Sequence, residues 1–118
     1  LAVPGLKQIV LVEGEKAADA LNGRDIAGLL SMTWPSGSGN VDKADFTPLT
    51  GLNVVLWPDA DEPGIKAMKW LGAKLATIAA SVKMIRTDDL PKGHDAADVD
   101  PDEDVLAFLR GRVQGVVR

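Results

Sequence analysis

Two apolar runs constrain this chain more than anything else in it: Ile9-Val10-Leu11-Val12 and Val54-Val55-Leu56-Trp57. Neither alternates apolar with polar residues, so neither suits a strand with one wet face. Each reads as a strand covered on both sides, as the strands of a parallel sheet are. The rest of the chain supplies the cover. Strands are predicted over 8–12, 31–34, 53–57 and 81–85. Between them lie helical patterns over 15–21, stopped by Asn22-Gly23, and from 63 to about 80. In the longer one, Ile65, Met68, Leu71, Leu75 and Ile78 recur at intervals of three and four. A helix is expected around 104–110. Residues 26–30 read as ambiguous, with a short helical turn as one option. A turn of helix is expected within 42–50, and 113–117 stays open between strand and disorder. Strands alternating with helices predict an α/β fold: a single Rossmann-like domain whose mostly parallel central sheet is flanked by helices. No internal repeat or linker points to a second domain, and 118 residues suit one.

Several classes are excluded. With no cysteine there is no disulfide scaffold and no thiolate zinc site. No apolar run approaches the ~18–20 residues of a membrane span, and no signal peptide is evident. A cytoplasmic protein without a membrane partner is the expectation. The chain starts at Leu1 rather than Met, which reads as a piece of a longer protein. The net charge of −4 argues against nucleic acid only on average. Residues 88–104 hold eight acids against Lys92 alone, for a segment charge of −7, which leaves +3 on the remainder.

The unusual residues cluster just after the predicted strands, at the edge where parallel α/β sheets bind ligands. Asp59 and Asp61 follow the third strand. In extended backbone, residues two apart point the same way, so two carboxylates would face one spot and call for a hard cation, Mg²⁺ or Mn²⁺. Glu13 adds a third carboxylate if its strand lies beside that of Asp59. The competing reading is capping: Asp61 or Glu62 before Pro63, and Glu13 or Glu15 before the first helix, suit helix N-termini. The loop 35–40 has the composition to cradle phosphate through backbone N–H groups but lacks the Gly-Lys-Ser/Thr ending of a P-loop, and a plain surface loop is the competing reading. Lys92 is placed to meet phosphate and His94 to meet metal, although a lone loop histidine is usually just solvated. Trp34 and Trp57, at strand ends, could stack a base; core packing is the simpler expectation for both, and for Trp70 on the long helix.

In this order, the segments resemble the Toprim domain, the catalytic module of bacterial-type primases, type IA and type II topoisomerases and certain nucleases. The first match is Ile9-Val10-Leu11-Val12-Glu13-Gly14-Glu15; the second is Val54-Val55-Leu56-Trp57-Pro58-Asp59-Ala60-Asp61. The resemblance spans roughly 7–100. Its details are similar to primases and primase–helicases of bacteria, phages and mobile elements: Glu13-Gly14-Glu15-Lys16-Ala17-Ala18, Asp59-Ala60-Asp61-Glu62-Pro63-Gly64 and Lys92-Gly93-His94-Asp95-Ala96-Ala97-Asp98. The resemblance implies Glu13, Asp59 and Asp61 as catalytic residues. It implies Glu13, Asp59, Asp61, Asp95 and Asp98 as ligands of Mg²⁺ or Mn²⁺. Lys16, Ser36, Gly37, Gly39 and Lys92 would meet nucleotide phosphates. One position departs: many bacterial primases carry an acid four residues after the Glu, where this chain has Ala17.

Three functions follow as expectations. The first is Mg²⁺-dependent (or Mn²⁺-dependent) nucleotidyl transfer in primer synthesis, with single-stranded DNA, nucleoside triphosphates and further domains as partners, a helicase being one option among those domains. The second is Mg²⁺-dependent DNA strand cleavage; a topoisomerase would need a tyrosine nucleophile from elsewhere, since this chain has none. The third is a metal- or phosphate-binding module without turnover.

Overall fold

A computed structural model describes residues 8–24, 26, 28–33, 45–100 and 102–116, with side chains through Val113. The order is β1 (Gln8–Leu11), α1 (Glu15–Asn22), β2 (Leu29–Met32), β3 (Asn53–Leu56), α2 (Glu62–Leu75), β4 (Ser81–Ile85), α3 (Val105–Arg112) and β5 (Val113–Val116). Short 3-10 turns cover Thr47–Leu49 and Ala96–Asp98.

β1 to β4 form a parallel sheet in the order β2-β1-β3-β4, and β5 adds an antiparallel edge beside β4. The apolar runs are thus the two central strands. Because successive side chains alternate between faces, each run feeds two cores. Ile9, Leu11, Val54 and Leu56 pack with Met68, Leu71 and Leu75 of α2 on one face. Val10, Val12, Val55 and Trp57 pack with Ala17, Ala18 and Leu21 of α1 and with Val105 and Leu109 of α3 on the other. Among the described residues no helix is long and apolar enough to cross a membrane.

Three expectations need adjustment. The second strand occupies Leu29–Met32 rather than 31–34; it begins after Gly28, whose φ of 78° turns the chain, and Gly28 O accepts from Gln8 N. Residues 29 and 30, part of an ambiguous stretch, are therefore strand. α2 ends at Leu75, not near 80. The Thr77 hydroxyl takes the Lys74 carbonyl, while Ile78 O and Ala80 N bond to Gly51 N and Leu52 O, drawing the chain into β4. This tertiary pairing overrides a helical pattern that continues to Ile78. The tail is strand, held by Arg86 N donating to Arg112 O and by Ile85 pairing with Val113. Its register shifts between the Lys83–Val116 and Ile85–Val113 pairings. Of the helical turn expected within 42–50, Thr47–Leu49 is present, and 42–44 lie outside the described residues.

A carboxylate site at the topological switch point

The chain leaves β1 toward β2 on one side and returns to β3 on the other, so the crevice beyond β1 and β3 is the switch point of the sheet. That is where open α/β sheets bind ligands. Leu11 is paired with Leu56, and Trp57 N donates to Leu11 O at 2.9 Å, so the two strands end level. Glu13 and Asp59 follow immediately.

Glu13 is only 6% exposed. Its Oε2 accepts from Asp59 N at 2.5 Å. Its carboxyl lies against Gly64 in the first turn of α2, in space that a Cβ would fill. Burial pushes the Glu13 pKa up; the Asp59 N–H opposes this, and the charges of Asp61 and Asp95 add to it. Asp59 is pushed up to about 7, first by burial, then by the charges of Glu13, Asp95, Asp61 and Asp98. The five acids expected at the site therefore share one electrostatic neighbourhood, although their surroundings differ.

Asp61 is the N-cap of α2, accepting from Gly64 N at 2.7 Å. The capping expectation holds for it. The extended Asp-x-Asp does not: Asp61 N donates back to Asp59 O at 2.7 Å, closing a tight turn around Ala60. Asp61 still reaches the site, because that turn folds it back toward Glu13. Asp95 caps the 3-10 turn through Ala97 N at 2.8 Å, and Asp98 returns a bond to Asp95 N at 3.0 Å, a reciprocal capping box. The Asp98 pKa is lowered, chiefly by that N–H, with help from the His94 and Lys16 charges. Ala60 ties the two acidic loops together, its N donating to His94 O at 2.8 Å and its O accepting from Gly93 N at 2.9 Å.

Lys16 and Lys92 are exposed at this edge, Lys92 beside Gly93 at φ 81°. Ser36, Gly37 and Gly39 lie outside the described residues, as does Trp34. Glu15 is exposed in the first turn of α1 and no side chain caps that helix. Ala17, where many primases have an acid, is buried against the sheet, and Asp19 faces solvent. Trp57 is 1% exposed and stacks on Phe108 with centroids 5.1 Å apart, so it packs the core as expected. Trp70 does not; it stands 43% exposed on α2. The apolar period that marks the buried face of α2 leaves residue 70 off that face, and this was the signal available in the sequence. His94 carries a buried Nδ1 with no hydrogen-bond partner among the described residues. The sequence offered His94 as a metal contact with solvation as the competing expectation; its Nδ1 is withdrawn from solvent.

Clustered oxygen donors, Glu13 buried and Asp59, Asp61 and Asp95 half-buried, fit a hard divalent cation, which would relieve the repulsion that adds to burial in raising Glu13 and Asp59. Among the described residues, however, no three such side chains already stand as a ligand set. Asp61 and Asp95 each commit an oxygen to a backbone N–H, so holding an ion requires their remaining oxygens or a carboxylate rotation. Comparison with protein-family models, curated proteins and solved structures gives no match, so the functional reading rests on this geometry and on the motifs.

Proposed function

We propose that this chain is a Toprim-type domain of the primase kind, which transfers nucleotidyl groups in primer synthesis on single-stranded DNA. The carrying observation is the Glu13–Asp59 pair at the switch point, with raised pKa values and with Asp61 and Asp95 facing it. The ordered Glu-Gly and Asp-x-Asp motifs support the same reading.

In that reaction a 3′-hydroxyl attacks the α-phosphorus of a nucleoside triphosphate. A P–O bond forms, the bond to the β-phosphate breaks and pyrophosphate leaves. Mg²⁺ or Mn²⁺, held by Asp59 and Asp61 with Glu13, Asp95 and Asp98, would neutralise phosphate charge and favour ionisation of the hydroxyl. The chain's own residues do the rest. The raised pKa values of Asp59 and Glu13 belong to the cation-free site; a bound cation would draw Asp59 to the ionised form in which it acts as a ligand. Glu13 is fixed in place by the Asp59 N–H. Lys16 and Lys92 stand exposed at the same edge, where they can pair with phosphate oxygens.

Asp59→Ala and Asp61→Ala in the full-length protein are expected to abolish primer synthesis while the fold persists; retained synthesis in both would overturn the proposal. Mg²⁺-dependent cutting of supercoiled or single-stranded DNA without nucleotide incorporation would replace it with strand cleavage. A second reading, a binding module without turnover, is favoured by one observation: Asp61, Asp95 and Asp98 already serve as caps. It predicts nucleotide or Mn²⁺ binding with no product of either kind.

A further inference from the structure

α2 has a second face that the core does not use. Its buried residues are Gly64, Met68, Leu71, Gly72 and Leu75. Lys66, Lys69, Trp70, Ala73 and Lys74 fall at i, i+3, i+4, i+7 and i+8, one continuous stripe on the helix, and all five are exposed. Lys74 Nζ sits over the Trp70 ring, 5.0 Å from its centroid. Among the described residues no carboxylate lies within salt-bridge distance of these three lysines. The one acid of α2, Glu62, stands a turn before Lys66 at the helix start. Lys69 also lines a small pocket of about 60 Å³ with Arg86 and Asp88, so the stripe borders the C-terminal edge of the sheet.

We propose that this stripe is a binding track for single-stranded nucleic acid, with Trp70 as the base-stacking platform and Lys66, Lys69 and Lys74 as the phosphate contacts. Three features favour that occupant. An exposed indole among unpaired lysines combines the two elements of sequence-tolerant single-strand binding, a π-face and backbone charge. The Lys74 ammonium sets positive charge beside any base stacked on the ring. The stripe starts two residues beyond Gly64, which touches Glu13, and runs about 12 Å along the helix from Lys66 to Lys74. A strand lying on it therefore runs along α2 toward the helix end at which the carboxylates stand. Three of the twelve bases outside residues 88–104 stand together on this stripe. Binding on the stripe stands independently of the primase reading; only the claim that it feeds the reactive centre rests on that reading.

The test uses the 118-residue chain and a fluorescein-labelled oligothymidylate, with anisotropy read in EDTA across a salt series. Binding is expected with a log–log salt slope near about −2, as three phosphate contacts on a single strand give. Trp70→Ala should weaken it about tenfold with the slope kept. Replacing Lys66, Lys69 and Lys74 together by Ala should weaken it further and bring the slope close to zero. All four side chains are exposed, so thermal melts should match the parent. No binding by the parent, or equal binding by both variants, overturns the proposal. So does tighter, stripe-dependent capture of phosphatidylserine vesicles, which would make the stripe a membrane-surface contact. Stripe-dependent self-association by sedimentation would likewise overturn it, making the stripe a seat for the acidic segment of a second copy. Mn²⁺ titration of the parent keeps the two readings apart. Stripe-dependent DNA binding without Mn²⁺ binding fails the primase reading alone; Mn²⁺ binding without it fails the track alone.

Discussion

Gly64→Ala tests how tightly the fold and the site are joined. In an open helical position this change stabilises by about 1 kcal/mol, because alanine loses less backbone entropy. At residue 64 the new Cβ would stand 2.8 Å from Asp61 Oδ1 and 2.9 Å from Glu13 Oε1, and nearer still to Glu13 Oε2. Ordinary contact begins near 3.4 Å, so the carboxyl of Glu13 must retreat by at least about half an ångström. Retreat breaks its bond from Asp59 N, and a bond to a carboxylate is worth roughly 1.5–3 kcal/mol. The helix gain offsets part of this, leaving a net loss of about 0.5–2 kcal/mol. For a domain this size, that lowers Tm by about 2–8 °C. Gly111→Ala in α3 is the control, since a Cβ there meets nothing within 4 Å; it should raise Tm by a few degrees. If Glu13 helps to hold a cation, Gly64→Ala should also weaken Mn²⁺ binding, read by calorimetry, by about 10- to 100-fold, as disturbing a ligand's support does. A Gly64→Ala variant as stable as Gly111→Ala, with unchanged Mn²⁺ affinity, would refute the reasoning.

Asp59→Asn should separate charge repulsion from function. An acid whose folded pKa is raised binds extra protons in the folded state, so its contribution to stability is present below pH ~4 and is lost as pH rises toward 7. The variant should match the parent in melts at pH 4 and exceed it at pH 8 by about 1 kcal/mol after allowance for solvent screening, while losing Mn²⁺ binding. Asp61→Ala should cost about 1 kcal/mol through the lost α2 cap, whereas Asp61→Asn keeps the cap; equal Mn²⁺ affinity in the asparagine variant and the parent would make Asp61 a cap only. Arg24→Ala frees the carbonyls of Val99, Asp100 and Glu103, which its guanidinium now binds, and should raise amide exchange in 99–104 at a cost of about 1–2 kcal/mol.

The sequence by itself determined the layers. Two unbroken apolar runs could be buried only on both faces, and the helical stretches between them dictated parallel strands with helices on each side. β4 falls on its expected residues, and β1, β3, α1 and α3 lie within a residue or two of theirs, because their apolar periods and stops are local. The placement of acids at strand ends was equally local. Tertiary structure decided what local signals cannot carry. The strand order puts β1 beside β3, and that adjacency sets Glu13 against Asp59, where burial raises both pKa values, the Glu13 charge adds to the Asp59 shift and the Asp59 N–H opposes that of Glu13. A tight turn, not extended backbone, turns Asp61 toward the site while its side chain caps α2. α2 stops at Leu75 because Gly51 and Leu52 take its continuation into β4, and β5 forms because the β4 edge is there to pair with it. The exposure of Trp70 has the same origin. A period of 3.6 marks one buried stripe, but only packing against the sheet decides that the residues outside it stay in water.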